Sequence, residues 1–321
     1  MKENKHTAAD LKQLQSMPLE LKIRATKARI AKWYDHWDGM VYVSFSGGKD
    51  STVLKHIVDS MYDDVPALFV NTGLEYPEIQ RFAMSQQNVI TVRPEMRFDE
   101  VLKKHGYPIV SKAVAHSVGV ATRNPDGAVR KNMFNAGDKG RFAFHKWEFL
   151  IDSEIPVGEK CCDVMKKNPA KKYCKETGRM PILGTMADES ALRHTQWMKH
   201  GCNAFTAKTP TSQPMSFWTE SDVLEYIDTY KIPYCHEIYG EIIHDESGYH
   251  TTGASRTRCI FCGFGCHLEK EPNRFQRLKE THPRQYEYCI GGGEMVDGKW
   301  QPSKEGLGLG HVLDYIGVQY D

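Results

Sequence analysis

The apolar positions change period where the first recognisable structural unit begins. Met40-Val41-Tyr42-Val43-Ser44-Phe45 is alternating and β-branched, whereas Thr52-Val53-Leu54-Lys55-His56-Ile57-Val58 repeats its apolar residues at i, i+3, i+4. With two glycines between them, these runs read as strand, tight turn, helix. Val65-Pro66-Ala67-Leu68-Phe69-Val70 predicts a second, buried strand and Val89-Ile90-Thr91-Val92 a third. Helices are expected after Pro77, whose ring suits a first helical turn, and over residues 98–105. Strand and helix alternate from 40 to 105, which argues for an α/β fold with a doubly wound, mostly parallel sheet. Ligands on such sheets sit beyond the carboxyl ends of the strands, where Ser46 and Asn71 fall.

Residues 9–38 have a helical pattern with Leu11, Leu14, Leu19, Leu21, Ile23 and Ile30 as apolar points, and Trp33, Tyr34 and Trp37 as anchors onto the sheet. Lys22, Arg24, Lys27, Arg29 and Lys32 make this region basic, which a solvated face explains more simply than a nucleic-acid contact. Residues 111–150 break the rhythm. There Arg123, Arg130, Lys131, Lys139, Arg141 and Lys146 interleave with Phe134, Phe142, Phe144 and Trp147, a mixture that suits a stacked, phosphate-bearing partner or, equally, a lid. Pro181-Ile182-Leu183-Gly184-Thr185 predicts another buried strand, with a helix starting near Asp188–Arg193. Thr219-Glu220-Ser221-Asp222 predicts a capped helix, residues 271–281 a polar, basic one, and 312–316 a short amphipathic segment. The expected organisation is an N-terminal helical region (1–38), an α/β domain (39–255) with an insert at 111–160, and a cysteine-bearing C-terminal extension (256–321).

With 321 residues, 26% of them charged, the chain is long enough to bury a sizeable core. A net charge of +1 offers no global field toward nucleic acid or membrane, so any basic partner surface is local. No apolar run approaches the length of a membrane span, and Met1-Lys2-Glu3-Asn4-Lys5 does not read as a signal peptide. A cytoplasmic protein in a reducing compartment is the expectation. Nine cysteines are too few for a disulfide scaffold, so clustered ones point to metal or redox chemistry.

The chemistry-bearing stretch is Ser46-Gly47-Gly48-Lys49-Asp50-Ser51. Glycines at a strand–helix junction let backbone N–H groups close on an anion, and the helix N-terminus adds partial positive charge. Lys49 and the hydroxyls of Ser46 and Ser51 complete a phosphate cradle that lacks the Walker A spacing. Cys259 and Cys262 form a Cys-x-x-Cys pair, and adjacent Cys161 and Cys162 can complete a four-sulfur set. Spacing alone favours structural zinc at least as strongly as an iron–sulfur cluster, although adjacent cysteines suit a wider cluster better. Cys266 and His267 are reserve ligands, while Cys174, Cys202, Cys235 and Cys289 are expected to be buried or half-buried thiols.

The Ser46–Ser51 run resembles the PP-loop of the ATP pyrophosphatases. Residues 38–270 resemble the phosphoadenosine phosphosulfate (PAPS) reductase family through that run, Asn71–Glu78, Gly184–Arg193, and Pro214…Trp218…Asp222-Val223…Ile232-Pro233-Tyr234. The arrangement Cys161-Cys162…Cys259-x-x-Cys262 is similar to that of adenylylsulfate (APS) reductases, and the resemblance implies a [4Fe–4S] cluster there. It further implies ATP with Mg²⁺ at Ser46, Gly47, Gly48, Lys49, Asp50 and Ser51, the nucleotide bordered by Asn71, Thr72, Gly73, Glu75 and Gly184, and Arg193 neutralising a phosphate. Two departures stand out: the chain ends Gly317-Val318-Gln319-Tyr320-Asp321 without the reductases' C-terminal nucleophilic cysteine, and its PP-loop is intact. Both favour cleavage of ATP to AMP and pyrophosphate. An acceptor would be adenylylated for sulfur transfer, through a sulfur donor protein and with a nucleic acid as one candidate acceptor. The alternatives are APS or PAPS reduction, with Cys289 as an unconventional thiol, and a nucleotide-binding iron–sulfur subunit of a modification complex. Nothing in the residues specifies an oligomeric state.

Overall fold

A computed structural model describes residues 5–134 and 144–321. Lys139, Arg141 and Phe142 of the basic–aromatic segment therefore lie outside the described residues. The chain divides into two compact units: Met1–Asn71, Glu75–Arg93 and Pro169–Thr257 form the first, and Thr72–Leu74, Pro94–Asn168 and Arg258–Asp321 the second.

The first unit is built on a six-stranded sheet. Across it the strands run Val89–Val92, Ala67–Val70, Val41–Phe45, Met180–Leu183, Thr211–Ser212 and Asn203–Ala204. Every pairing is parallel except that between the last two. The doubly wound, mostly parallel α/β expectation therefore holds. Val41–Phe45 is buried on both faces, as parallel strands covered by helices are, whereas the edge strand Val89–Val92 stays partly open.

Chain order fixes where a ligand can bind. From Val41–Phe45 the chain steps outward to Ala67–Val70 and Val89–Val92, then returns to the opposite side of the first strand as Met180–Leu183, with Ser44 beside Leu183. The strand order reverses at that seam, which opens a crevice beyond the carboxyl ends. Ser46–Ser51 and Gly184 follow the two strands that form it.

The core of this unit gathers Val41, Val43 and Phe45 from the sheet, Val53, Leu54, Ile57 and Val58 from the helix Lys49–Asp59, and Ile30 and Trp33 from the helix Leu19–His36. Lys22 departs from the expected basic face of that last helix. Its ammonium is buried and meets both carboxylate oxygens of Asp222 at 2.7 Å. Asp222 in turn completes the capping box of Thr219 that starts the helix Glu220–Tyr230. A buried lysine needs such a partner, and sequence spacing cannot supply one 200 residues away.

The second unit carries the helices Phe98–His105, Lys112–Arg123, Arg274–Thr281, Pro283–Ile290 and Leu309–Tyr315. Phe98–His105 has the predicted bounds. Arg274–Thr281 begins three residues later than the polar pattern suggested, because Asn273 caps it by accepting from the N–H groups of Phe275 and Gln276. Gly263–Phe264 pairs in parallel with Ile109–Val110. A side chain at Gly263 would stand 2.9 Å from the Pro108 carbonyl, so only glycine permits that approach. Among the described residues no helix is long and apolar enough to cross a membrane.

Candidate phosphate site and thiol cluster

The turn after Val41–Phe45 is held by its own hydroxyls. Ser51 Oγ donates to the Gly48 carbonyl at 2.9 Å and accepts from the Ser46 N–H at 3.1 Å. Thr52 Oγ1 also donates to the Gly48 carbonyl at 3.0 Å, and the Gly48 N–H is 3.3 Å from Ser46 Oγ. Gly47 has φ +74°, and a Cβ there would lie 3.0 Å from the Ile79 carbonyl oxygen. Behind the loop, Gly184 lets the end of Met180–Leu183 close on the first turn of the helix, since a Cβ on it would stand 3.0 Å from the Asp50 carbonyl oxygen. Glycine at 184 thus permits this close backbone approach.

Three cations converge at this loop. Lys49 is 4% exposed, and its ammonium contacts Glu220 Oε1 at 2.7 Å, the Ser255 carbonyl at 2.9 Å and the Tyr239 ring face at 5.1 Å. Arg193, in the helix Ala191–His200 capped by Ser190, pairs with Glu189. Arg256 reaches the other oxygen of Glu189 at 2.6 Å. Desolvation raises the Asp50 carboxyl above its ordinary value, against the opposing pull of Lys49, Arg256 and Arg193. Burial, then Arg256, lowers Arg193, and Asp50 offsets this. Lys49, Arg193 and Arg256 thus all act on the Asp50 carboxyl.

Of the other expected nucleotide contacts, Asn71 is buried at the end of its strand, where its N–H donates to the Val92 carbonyl at 2.9 Å. Glu75 belongs to the same unit, while Thr72 and Gly73 belong to the second. There Thr72 Oγ1 accepts from the Leu74 N–H at 3.1 Å, and Gly73 has φ +73°. The residues that sequence reasoning did not assign to the site are Glu189, Glu220, Tyr239, Ser255 and Arg256. Glu189 lay inside the quoted Gly184–Arg193 stretch, and Glu220 at a recognised helix start. Nothing local marks Arg256, whose partner is 67 positions away.

All four expected sulfur ligands lie in the second unit. Cys161 is buried and Cys162, Cys259 and Cys262 are half-buried. Burial, then the neighbouring Cys162, Cys259 and Cys262, pushes the Cys161 thiol far above its ordinary value. Cys262 is raised as well, mainly by burial. Cys259 and Cys262 sit on one turn, closed by the Cys262 N–H donating to the Cys259 carbonyl at 3.1 Å. Arg274 braces it: Nη1 donates to the Cys262 carbonyl at 2.6 Å, while Nη2 and Nε hold Glu269 at 2.7 and 3.1 Å. Even so, among the described residues no group of three or more His, Cys, Asp or Glu side chains is arranged to hold a metal ion. Cys266, a reserve ligand, instead points its thiol at the Gly263 carbonyl at 3.0 Å, and burial lifts it to about 11. Cys289 is fully enclosed, which pushes its thiol well above the ordinary range.

The family model of the phosphoadenosine phosphosulfate reductase domain matches residues 40–109 and 88–254. The chain belongs to this family. It is therefore a PP-loop, PAPS reductase-like protein, of a family named for enzymes that act on an adenine nucleotide. A curated relative, an uncharacterized protein of Methanocaldococcus jannaschii, is 25% identical over 264 residues, covering 79% of this chain and 48% of the relative. The chain thus spans about half the length of that relative. Among solved structures, phosphoadenylyl-sulfate reductase from Candida auris in a phosphate complex aligns with a TM-score of 0.39 and 15% identity, over 73% of this chain and 92% of that one.

The raised Asp50 carboxyl has a consequence for stability. The folded state binds its proton more tightly than the unfolded chain does, so above both values the ionised form penalises folding, and the penalty fades as pH falls through the raised value and is gone below the ordinary aspartate value of 3.8. Asp50→Asn is therefore expected to melt above the parent at pH 7, with the gap closing as pH falls through the aspartate range. An equal or lower melting temperature at pH 7, read by differential scanning calorimetry, contradicts this.

Proposed function

We propose that the chain is a PP-loop nucleotidyl enzyme that binds ATP at Ser46–Ser51 and cleaves it between the α- and β-phosphates. The observation that carries this reading is the convergence of Lys49, Arg193 and Arg256 on a glycine loop at a helix N-terminus, with carboxylates as their present counter-ions. The loop N–H groups of Gly47 and Gly48 and the Lys49 ammonium would take the β- and γ-phosphates. Phosphate would then replace Glu220 on Lys49, because a buried ammonium keeps an anionic partner in either state. Without ligand the cations are matched by Asp50, Glu189 and Glu220, so a polyanion as charged as ATP needs a compensating cation. Asp50 would hold a Mg²⁺ ion that supplies this charge.

In the reaction, an acceptor oxygen attacks the α-phosphorus and its bond to the α,β-bridging oxygen breaks. Pyrophosphate departs with the electron pair, its charge held by Lys49 and the arginines, and AMP stays on the acceptor. Substitution of that AMP by sulfur from a donor protein is the step we assign to the wider function. A nucleic-acid acceptor is consistent with Lys171, Lys172 and Lys175 on the helix Asn168–Thr177 and with Lys166 before it. The chemistry of Cys161, Cys162, Cys259 and Cys262 suits a [4Fe–4S] cluster, with zinc as the alternative. They are four soft donors, and at Cys161 burial and the three neighbouring thiols raise the cost of ionisation, a cost that a bound cationic centre would offset. Such a cluster supplies sulfur or electron chemistry when bound; the protein's part is to hold the four thiols, with Arg274 fixing the turn that carries two of them.

The competing reading, APS or PAPS reduction by Cys289, is disfavoured by one observation. A nucleophilic cysteine needs an accessible thiolate, and Cys289 is enclosed and held protonated.

Lys49→Ala is expected to weaken ATP binding at least about tenfold, the loss of one charge-assisted phosphate contact worth about 1.5–3 kcal/mol. Glu220→Gln is expected to bind ATP no more weakly than the parent. Equilibrium dialysis with Mg·ATP checks both, and parental affinity in Lys49→Ala removes the loop from the site. Protein purified without oxygen is expected to hold about four irons and four sulfides per chain. Replacing Cys161 or Cys262 by Ser should lose them and Cys202→Ser should not, whereas stoichiometric zinc without sulfide selects the zinc alternative.

A further inference from the structure

We propose that the cleft at the C-terminal end of the helix Ala191–His200 is a binding site for a small planar organic anion. It has a volume of about 230 Å³ and shares no lining residue with the phosphate loop. That volume lies below the usual range for drug-sized ligands and suits one or two fused rings bearing an acidic group.

The walls are flat and aromatic. Trp197 and Phe205 line the cleft with His6, whose ring packs on Trp197 at a centroid distance of 4.9 Å and an angle of 31°. Phe205 is fixed from behind by Trp33 at 5.1 Å. Such surfaces hold a ring by stacking and apolar burial.

The rim is basic and carries no counter-charge. Arg29 and Lys32 come from one helix, one turn apart, and His200 from another, and no aspartate or glutamate lines the cleft. Arg29 donates to the Ala25 carbonyl at 2.8 Å and lies 4.6 Å over the Phe217 ring, so no carboxylate neutralises it. Lys32 is exposed and has no ion pair among the described residues. The floor adds no negative charge either, because burial raises the Cys202 thiol above its ordinary value and keeps it neutral.

Trp197 is itself 3% exposed, and its indole is hydrogen-bonded to the Cys202 thiol. Aromatic walls and unpaired cations together describe a ligand with a flat body and an anionic edge.

Indole-3-acetate is a suitable probe, with neutral indole and inorganic phosphate as controls that carry only the ring or only the charge. Isothermal titration of the full chain is expected to show saturable binding of indole-3-acetate at one site per chain. Both controls are expected to bind at least about tenfold more weakly, the size of one charge-assisted contact. Lys32→Glu, a change at an exposed position, is expected to weaken indole-3-acetate by a similar factor while leaving the circular dichroism spectrum and the binding of neutral indole unchanged. Lys49→Ala is expected to leave indole-3-acetate binding intact, which separates failure of this site from failure of the phosphate loop. The proposal is overturned by no saturable binding at millimolar indole-3-acetate, by equal binding of neutral indole, or by binding that survives Lys32→Glu but is lost in Lys49→Ala.

Discussion

The buried ammonium of Lys49 is the constraint around which the first unit is arranged. A lysine 4% exposed cannot remain charged without anionic or dipolar partners, and the fold brings them from distant sequence: Glu220, the Ser255 carbonyl and the face of Tyr239. These contacts tie the loop to the start of the helix Glu220–Tyr230 and to the backbone at Ser255. The loop is also tied to itself. Side-chain hydroxyls of Ser46, Ser51 and Thr52 meet the backbone N–H groups of Ser46 and Gly48 and the Gly48 carbonyl, and so hold the shape of the turn.

The second unit meets a related problem with different chemistry. Burial makes the ionised forms of Cys161 and Cys262 costly, a cost that a cationic centre would offset under the proposed function. Arg274 contributes by gripping the Cys262 carbonyl and Glu269 together, which fixes the Cys-x-x-Cys turn without lending a proton to sulfur. Cys266 and Cys289 lie outside that set. One is spent on a backbone carbonyl and the other is enclosed.

What could be read from the sequence follows the range of the interactions involved. The strand–turn–helix at Val41–Asp59 was legible because apolar period and glycine placement are local, and the parallel sheet followed from alternation. The capping box at Thr219 was legible for the same reason. Lys22 was misread as part of a solvated basic face, since its partner Asp222 is remote in sequence and periodicity carries no information about pairing at that range. Glu220 on Lys49, 171 positions away, was hidden for the same reason, as was Arg256 on Glu189. Gly184 was expected to border the nucleotide; its close approach to the Asp50 backbone is visible only in three dimensions.

The central claim is that this loop directs cleavage at the α-phosphate of ATP. The most direct measurement incubates anaerobically purified protein and Mg²⁺ with ATP labelled at the α- or the γ-phosphate, in parallel, together with pools of RNA, DNA and small metabolites. The γ-label is expected to be released as pyrophosphate, without free phosphate, and the α-label to appear as AMP or on an acceptor, both lost in Lys49→Ala. Release of γ-label as orthophosphate would contradict the claim. So would sulfite formation from an adenylylated sulfate with ATP left intact.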